Sequence, residues 1–589
     1  MVRKVISRRF ALPDLLIVLL VATAIYGVVS IAKEWSAEFQ PVTEIDLSVS
    51  ALPYYTLLSA IRGFVAYFIS LVFTIIIGYL AAKSRAAEQM IIPALDILQS
   101  IPVLGFLPGL VLGLVSLFPK TNIGLELAAI LMIFTGQVWN MTFSFYSSLK
   151  SIPSDFREAS TIVGLNWSER LKRVELPFAA VNLAWNSLLS MAGGWFFLIP
   201  CEAMTLGSKE YRLPGIGSYM GVAIQQGNRN AMVLAVVAMI LLIISMDFVI
   251  WRPVLAWVQR FRLDDAGETA FVEPLMQVWI RESKIVRWFK VFVRSTRGVR
   301  RLLQRKKMGS WSNRKRVWQN WDLRFFSNFK RWILNHQDFI YSLRLFQILG
   351  AGLLFLLIGY GTFQLLTILL KVPPRTWLTL IEDMLWTLGR VMGAVLMSSI
   401  WAVPVGIWIG TSSKRIRIAQ PIIQVFASFP APMLYPIVLS AFFFVGMKFE
   451  WASMFLILLG IQWYILFNVL VGSLRIPQEL KYAMSLMKAS RWDRWRVLYL
   501  PSIFPALATG WISAAGGAWN ASVVAEYIYY QGSVLKARGL GSALIEATEK
   551  EDFVLFAATL TLMVSVVILL NRLVWSKIYH VAQTRYRME

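Results

Sequence analysis

Residues 57–82 read LLSAIRGFVAYFISLVFTIIIGYLAA and residues 385–410 read LWTLGRVMGAVLMSSIWAVPVGIWIG. Each run carries one charged residue, Arg62 in the first and Arg390 in the second. A helix of about 20 mostly apolar residues crosses a bilayer's hydrocarbon core, so each run reads as a spanning segment. The two also align. A shift of 328 positions pairs Arg62 with Arg390, Gly78 with Gly406, Pro93 with Pro421, Ser100 with Ser428, Pro102 with Pro430 and Pro108 with Pro436. Further on the shift becomes 324, pairing Gly136 with Gly460, Trp139 with Trp463, Leu176-Pro177 with Leu500-Pro501, Trp195 with Trp519 and Glu202 with Glu526. One gap over so long a register indicates an internal duplication.

Composition agrees. The 589 residues are 57% hydrophobic and 15% charged, with mean hydropathy +0.61. That excludes a water-soluble globule, whose charged share is about a quarter, and it excludes disorder. The net charge of +25 falls between apolar runs, which argues against nucleic-acid binding and for basic cytoplasmic loops. One cysteine, Cys201, permits no intrachain disulfide, and with two histidines it leaves no cluster for zinc.

Apolar length gives twelve expected spans in an all-α polytopic membrane protein. The first six lie near Ala11–Ile31, Leu57–Ala82, Met90–Phe118, Leu125–Leu149, Phe178–Met204 and Met232–Val254. The last six lie near Leu345–Leu370, Thr379–Gly410, Ile418–Val445, Trp451–Leu474, Ser502–Tyr529 and Phe553–Trp575. The domains read as a six-span module over residues 1–257, a basic linker over 258–336 and a second six-span module over 337–589. An even number of spans per module makes the two run parallel, related by a pseudo-twofold along the membrane normal. The first run is too long for a signal h-region and has no A-x-A-like site, so it reads as an uncleaved anchor. Basic loops alternate with poorer ones, placing both termini in the cytoplasm. The linker holds 19 Lys and Arg against 6 Asp and Glu, interleaved with Trp279, Trp288, Trp311, Trp318, Trp321 and Trp332. This suits contact with anionic lipid, or a solvated topology-setting loop.

The fourth loop of the first module reads Ser151-IPSDFREASTIVGLNWSERLKRVELP-Phe178. Glu158-Ala159-Ser160, then Gly164, then a basic stretch ending in Leu-Pro predict two short helices joined at an exposed glycine elbow. This resembles the EAA loop of ABC importer permeases, the coupling helix that docks on the ATP-binding subunit. In the second copy Tyr482 replaces the glutamate and Lys488 the glycine, while Ala483 and Leu500-Pro501 remain. Loss of the glycine predicts a continuous helix there. The pattern from Cys201-Glu202 to Gly215 and Gly217, and from Ala525-Glu526 to Gly539 and Gly541, resembles the nitrate, sulfonate, taurine and bicarbonate permeases. So do Arg62 and Arg390 and the Ser-x-Pro turns at Pro102 and Pro430.

The resemblance implies coupling through Glu158, Ala159 and Gly164, with Ala483 and Lys488 in the altered copy. It implies two ATP-binding cassette subunits holding ATP and magnesium, an external substrate-binding protein and a bacterial inner membrane. The chain has no G-x-x-x-x-G-K-[ST] loop, so it reads as a permease that is not itself an enzyme and binds no cofactor or metal. Trp195 and Glu202, and Trp519 and Glu526, stand seven residues apart and share a helix face. The carboxylates either line a path or gate, or bond the amides of the Gly-x-Gly turn. Arg62 and Arg390 either attract an anion at the outer mouth or snorkel to headgroups. Pro102 and Pro430 kink or break the third spans. Asp96 and Asp247 stand opposite amides in the register, Gln424 and Asn571. The substrate is a small solute, with anions and sulfonates in the family's range. A twelve-span secondary transporter is the competing reading; it leaves the elbows without a purpose.

Overall fold

The computed structural model describes residues 12–206, 209–261, 352–353, 356, 359–474 and 476–585. The linker beyond residue 261 lies outside the described residues, and of the expected span Leu345–Leu370 only residues 352–353, 356 and 359–370 are described. The chain divides into two units. One comprises Met1–Ala22 and Leu275–Lys371, of which residues 12–22 and 359–369 are described as helix. The other, Thr23–Pro274 with Val372–Glu589, contains both repeats.

Among the described residues, seven helices are long and apolar enough to cross a membrane, or eight if one bent pair counts as a single span. Twelve spans are expected over the whole chain, and the described residues do not confirm that count. The third runs account for part of the difference. Met90–Phe118 divides into helix Arg85–Ser100, a 3-10 turn Val103–Phe106 and helix Leu107–Leu117. Its counterpart Ile418–Val445 bends by 87° between Pro421–Ser428 and Ala431–Phe444. The cause is local: a residue before proline is pushed out of the helical region. Ile101 has ψ 127° and Phe429 ψ 130°, each ending its helix before Pro102 or Pro430. These prolines break the helix outright.

In each repeat the second and fourth helices pack closely: Leu52–Lys83 on Ile123–Lys150, and Pro374–Gly410 on Phe449–Leu474. The fifth, Leu176–Phe196 or Leu500–Ala525, packs on the fourth. Glycines permit the contact. A Cβ at Gly193 would lie 2.9 Å from the Gly136 carbonyl oxygen, and one at Gly406 would lie 2.7 Å from a Val469 methyl.

The fifth spans are shorter than hydropathy suggests. Both run into an antiparallel hairpin, Ala203–Leu206 with Lys209–Arg212 and Tyr527–Tyr530 with Ser533–Lys536. Each hairpin leads to a helix opening at a glycine, Ile216–Gln225 or Leu540–Glu549. The hairpins meet across the repeats: Ile216–Gln225 touches strand Tyr527–Tyr530, and Leu540–Glu549 touches strand Ala203–Leu206. They therefore share one end of the bundle. The loops before the fifth helices, about 30 Å away by helical rise, share the other.

Candidate functional site

Beneath each hairpin a buried arginine ties three segments together. Arg62, fully buried, grips Glu126 with two bonds, Nε to Oε2 and Nη2 to Oε1, both 2.7 Å. Its Nη1 donates to Glu202 Oε1 at 2.7 Å and to the Pro214 carbonyl at 2.8 Å. Glu202 also accepts from Ser59 Oγ at 2.6 Å and from the Gly217 amide at 2.7 Å, and Ser59 accepts the Ile216 amide at 2.9 Å. The glycines let the carboxylate this close. A Cβ at Gly215 would stand 2.2 Å from Glu202 Oε2. A charge buried this deeply persists only when paired and fully hydrogen-bonded.

The second repeat builds the same knot with one strand missing. Arg390 Nη1 donates to Glu526 Oε1 at 2.9 Å and to the Arg538 carbonyl at 2.7 Å. Glu526 accepts from Thr387 at 3.1 Å and the Gly541 amide at 2.8 Å, and Thr387 accepts the Leu540 amide at 2.8 Å. Glu450 stands where Glu126 does, yet only its carbonyl receives Arg390 Nε, at 3.3 Å. Arg390 Nη2 is buried with no hydrogen-bond partner among the described residues. Both arginines thus sit inside the fold, and both glutamates bond the amides of their Gly-x-Gly turns.

Between the repeats lies a cavity of about 200 Å³. Register-equivalent residues of the fourth and fifth helices line it, including Gly136 and Gly460, Trp139 and Trp463, and Gly193 and Gly517. Trp519 reaches it; its counterpart Trp195 is instead packed against Gly63, where a Cβ would lie 2.6 Å from the ring. Two polar contacts cross from one repeat to the other, the first of them made by residues of the cavity wall. Asn520 Oδ1 accepts the Val103 amide at 2.7 Å. Asp247 accepts from Gln424, and from Arg252 at 2.7 Å.

At the opposite end from the hairpins stand the two elbows. Helix Ser154–Ile162 ends in Gly164 at φ +68°, and helix Gln478–Leu486 ends in Lys488 at φ +49°. The bonds match. The Leu165 amide reaches the Ser160 carbonyl at 3.0 Å, and the Ala489 amide reaches the Met484 carbonyl at 3.1 Å, the six-to-one bond of a glycine-type helix stop. The continuous helix expected at Lys488 is absent: the capping bonds hold a lysine in the left-handed region that glycine would occupy without strain. Glu158, Ala159, Tyr482 and Ala483 are exposed. So are the paired apolar tips, Ile162 at 85% and Val163 at 72%, Leu486 at 66% and Met487 at 77%.

The first elbow is anchored by Glu175, buried between Lys83 and Arg170, with Arg170 Nε at 3.1 Å. At these three register positions the second repeat has Tyr499, Thr411 and Arg494, and Arg494 bonds the Ala489 carbonyl. Sequence reasoning missed Glu126, Ser59 and Glu175. For Glu126 the signal was present: an acid at the head of an apolar run, repeated as Glu450 at the same shift of 324.

Residues 74–250 and 402–576 each match the family of binding-protein-dependent transport system inner membrane components. Among relatives, a nitrate import permease of Leptolyngbya laminosa is 34% identical over 142 residues, 24% of this chain and 50% of that protein. A taurine transport system permease of Escherichia coli is 28% identical over 204 residues, 32% and 70%. A bicarbonate transport system permease of Synechocystis is 30% identical over 143 residues, 24% and 49%. The chain spans about half the length of the nitrate and bicarbonate relatives.

Proposed function

Because the chain belongs to the binding-protein-dependent transport permeases and carries their domain twice in one multi-pass polypeptide, we propose that it alone forms the translocation pathway of an ATP-driven importer. In this reading the elbow face is cytoplasmic, both termini lie inside, and the membrane is a bacterial inner membrane. Each elbow receives one ATP-binding cassette subunit, which holds ATP and magnesium. A substrate-binding protein delivers a small solute at the hairpin face. The observation that carries the reading is the pair of exposed elbows. They have the same stop bonds and the same left-handed residue, and apolar tips that no described residue covers. A secondary transporter has no use for two such projections.

ATP-driven closure of the two cassettes would draw the elbows together. Each elbow continues directly into a fifth helix lining the cavity, so their approach alters the cavity's walls. The test is affinity purification of the full chain from its native membrane, followed by ATP hydrolysis and identification of any subunit carrying G-x-x-x-x-G-K-[ST]. Such a subunit should co-purify, and Glu158→Arg should release it while leaving thermal unfolding unchanged. A fully active transporter that brings no such subunit would establish the secondary-transporter reading instead.

A further inference from the structure

The cavity between the repeats is uncharged. No Lys, Arg, Asp, Glu or His lines it among the described residues, in a chain carrying 58 Lys and Arg. The two arginines buried among the described residues are already committed, Arg62 to two carboxylates and Arg390 to one. An anion entering here would lose hydration without meeting a cation, and the Arg62 knot would present it with an excess acid.

The walls offer rings and neutral amides. Trp463 lines the cavity with its indole held from behind, Phe426 stacked on it at 6.3 Å and 20° and Trp401 edge-on at 6.2 Å. A ring so fixed is a platform for another flat ring. Polar groups sit around it unequally. The first repeat supplies Asn140 where the second has Tyr464, and the second supplies Asn520 where the first has Phe196. Asn520 accepts from the Val103 amide at 2.7 Å and donates to the Gly516 carbonyl at 3.2 Å, which leaves one amide proton and one lone pair for a solute. Gly516 lines the same space, and a Cβ there would meet nothing within 4 Å.

We propose that the solute taken by this cavity is a flat, uncharged heteroaromatic molecule, stacked on Trp463 with its hydrogen-bonding edge toward the asparagine amides. The proposal deepens the importer reading, on which it rests only in treating the cavity as the solute's path. It also departs from the anionic solutes named for the nitrate and bicarbonate relatives.

Ligand-observed saturation-transfer NMR on the full chain in lipid nanodiscs tests it. Nicotinamide and uracil serve as uncharged ring probes, taurine as an acid-bearing probe and choline as a cation. Saturation should pass to the ring protons of nicotinamide or uracil. It should fall at least threefold in both Trp463→Leu and Gly516→Leu, the second of which adds bulk only to open space. Taurine and choline should show no transfer sensitive to these substitutions. Transfer to taurine or choline that these variants abolish overturns the proposal. Ring-probe transfer unchanged by either variant, or absent from the parent chain, also overturns it. The measurement needs no ATPase, so its failure is distinct from failure of the elbows to hold one.

Discussion

Arg62 and Glu126 meet through two parallel hydrogen bonds of 2.7 Å, while Arg390 meets only the backbone of the corresponding Glu450. The duplicated sequence keeps both residues in both repeats, yet the knot is complete in one and open in the other.

Arg62→Met should therefore destabilise the protein far more than Arg390→Met. The first leaves two buried carboxylates without their cation, and breaking a buried pair costs about 3–5 kcal/mol. The second strands one carboxylate, and removes a donor that was already unsatisfied. Thermal unfolding in detergent should show the larger loss for Arg62→Met; equal losses would mean the two knots are equivalent.

Gly539→Ala places a Cβ 2.3 Å from the Glu526 carboxylate, and Gly215→Ala does the same at Glu202. Neither side chain can retreat without abandoning its arginine. Both variants should lose folded yield or unfold at clearly lower temperature. Gly389→Ala, where a Cβ meets nothing within 4 Å, should match or exceed the parent.

Lys488→Gly should stabilise the second elbow by about 0.5–1 kcal/mol, because a left-handed non-glycine residue is strained and glycine is not. The flexibility glycine adds to the unfolded chain keeps the gain at the lower end. Gly164→Lys should cost a similar amount. Amide exchange of the Leu165 and Ala489 peptide groups reads both directly.

Glu175→Gln removes the charge that Lys83 and Arg170 share. Exchange should quicken across residues 154–170 and remain unchanged across 478–494, where the described residues hold no equivalent ion pair. Equal quickening in both elbows would show that the anchor is not local to the first.

Much of this was legible in the sequence. The register of the repeat places Glu202 over Gly217 and Glu526 over Gly541, and an acid buried beside a Gly-x-Gly turn has few partners other than its amides. Arg62 was read as a residue of the membrane edge because one-dimensional hydropathy shows a lone charge and not the acid that meets it. That acid, Glu126, is 64 positions away on another helix. The hairpins were hidden for a related reason. Residues 527–530 read Tyr-Ile-Tyr-Tyr, apolar enough to extend a span, and the reversal falls on the two left-handed residues Gln531 at φ +49° and Gly532 at φ +76°. At Lys488 local propensity favoured continued helix, and the capping bonds of the next residues overrode it. The third runs read as single spans because hydropathy averages smoothly over the proline that splits each of them.

The open knot at Arg390 has a mechanical meaning. Its spare guanidinium nitrogen is buried without a hydrogen-bond partner among the described residues, and Glu450, at the register position of Arg62's partner Glu126, is exposed at the head of the neighbouring helix. One jaw of the bundle is thus latched and the other is ajar: the hairpin end of the second repeat is held by fewer charged bonds than that of the first.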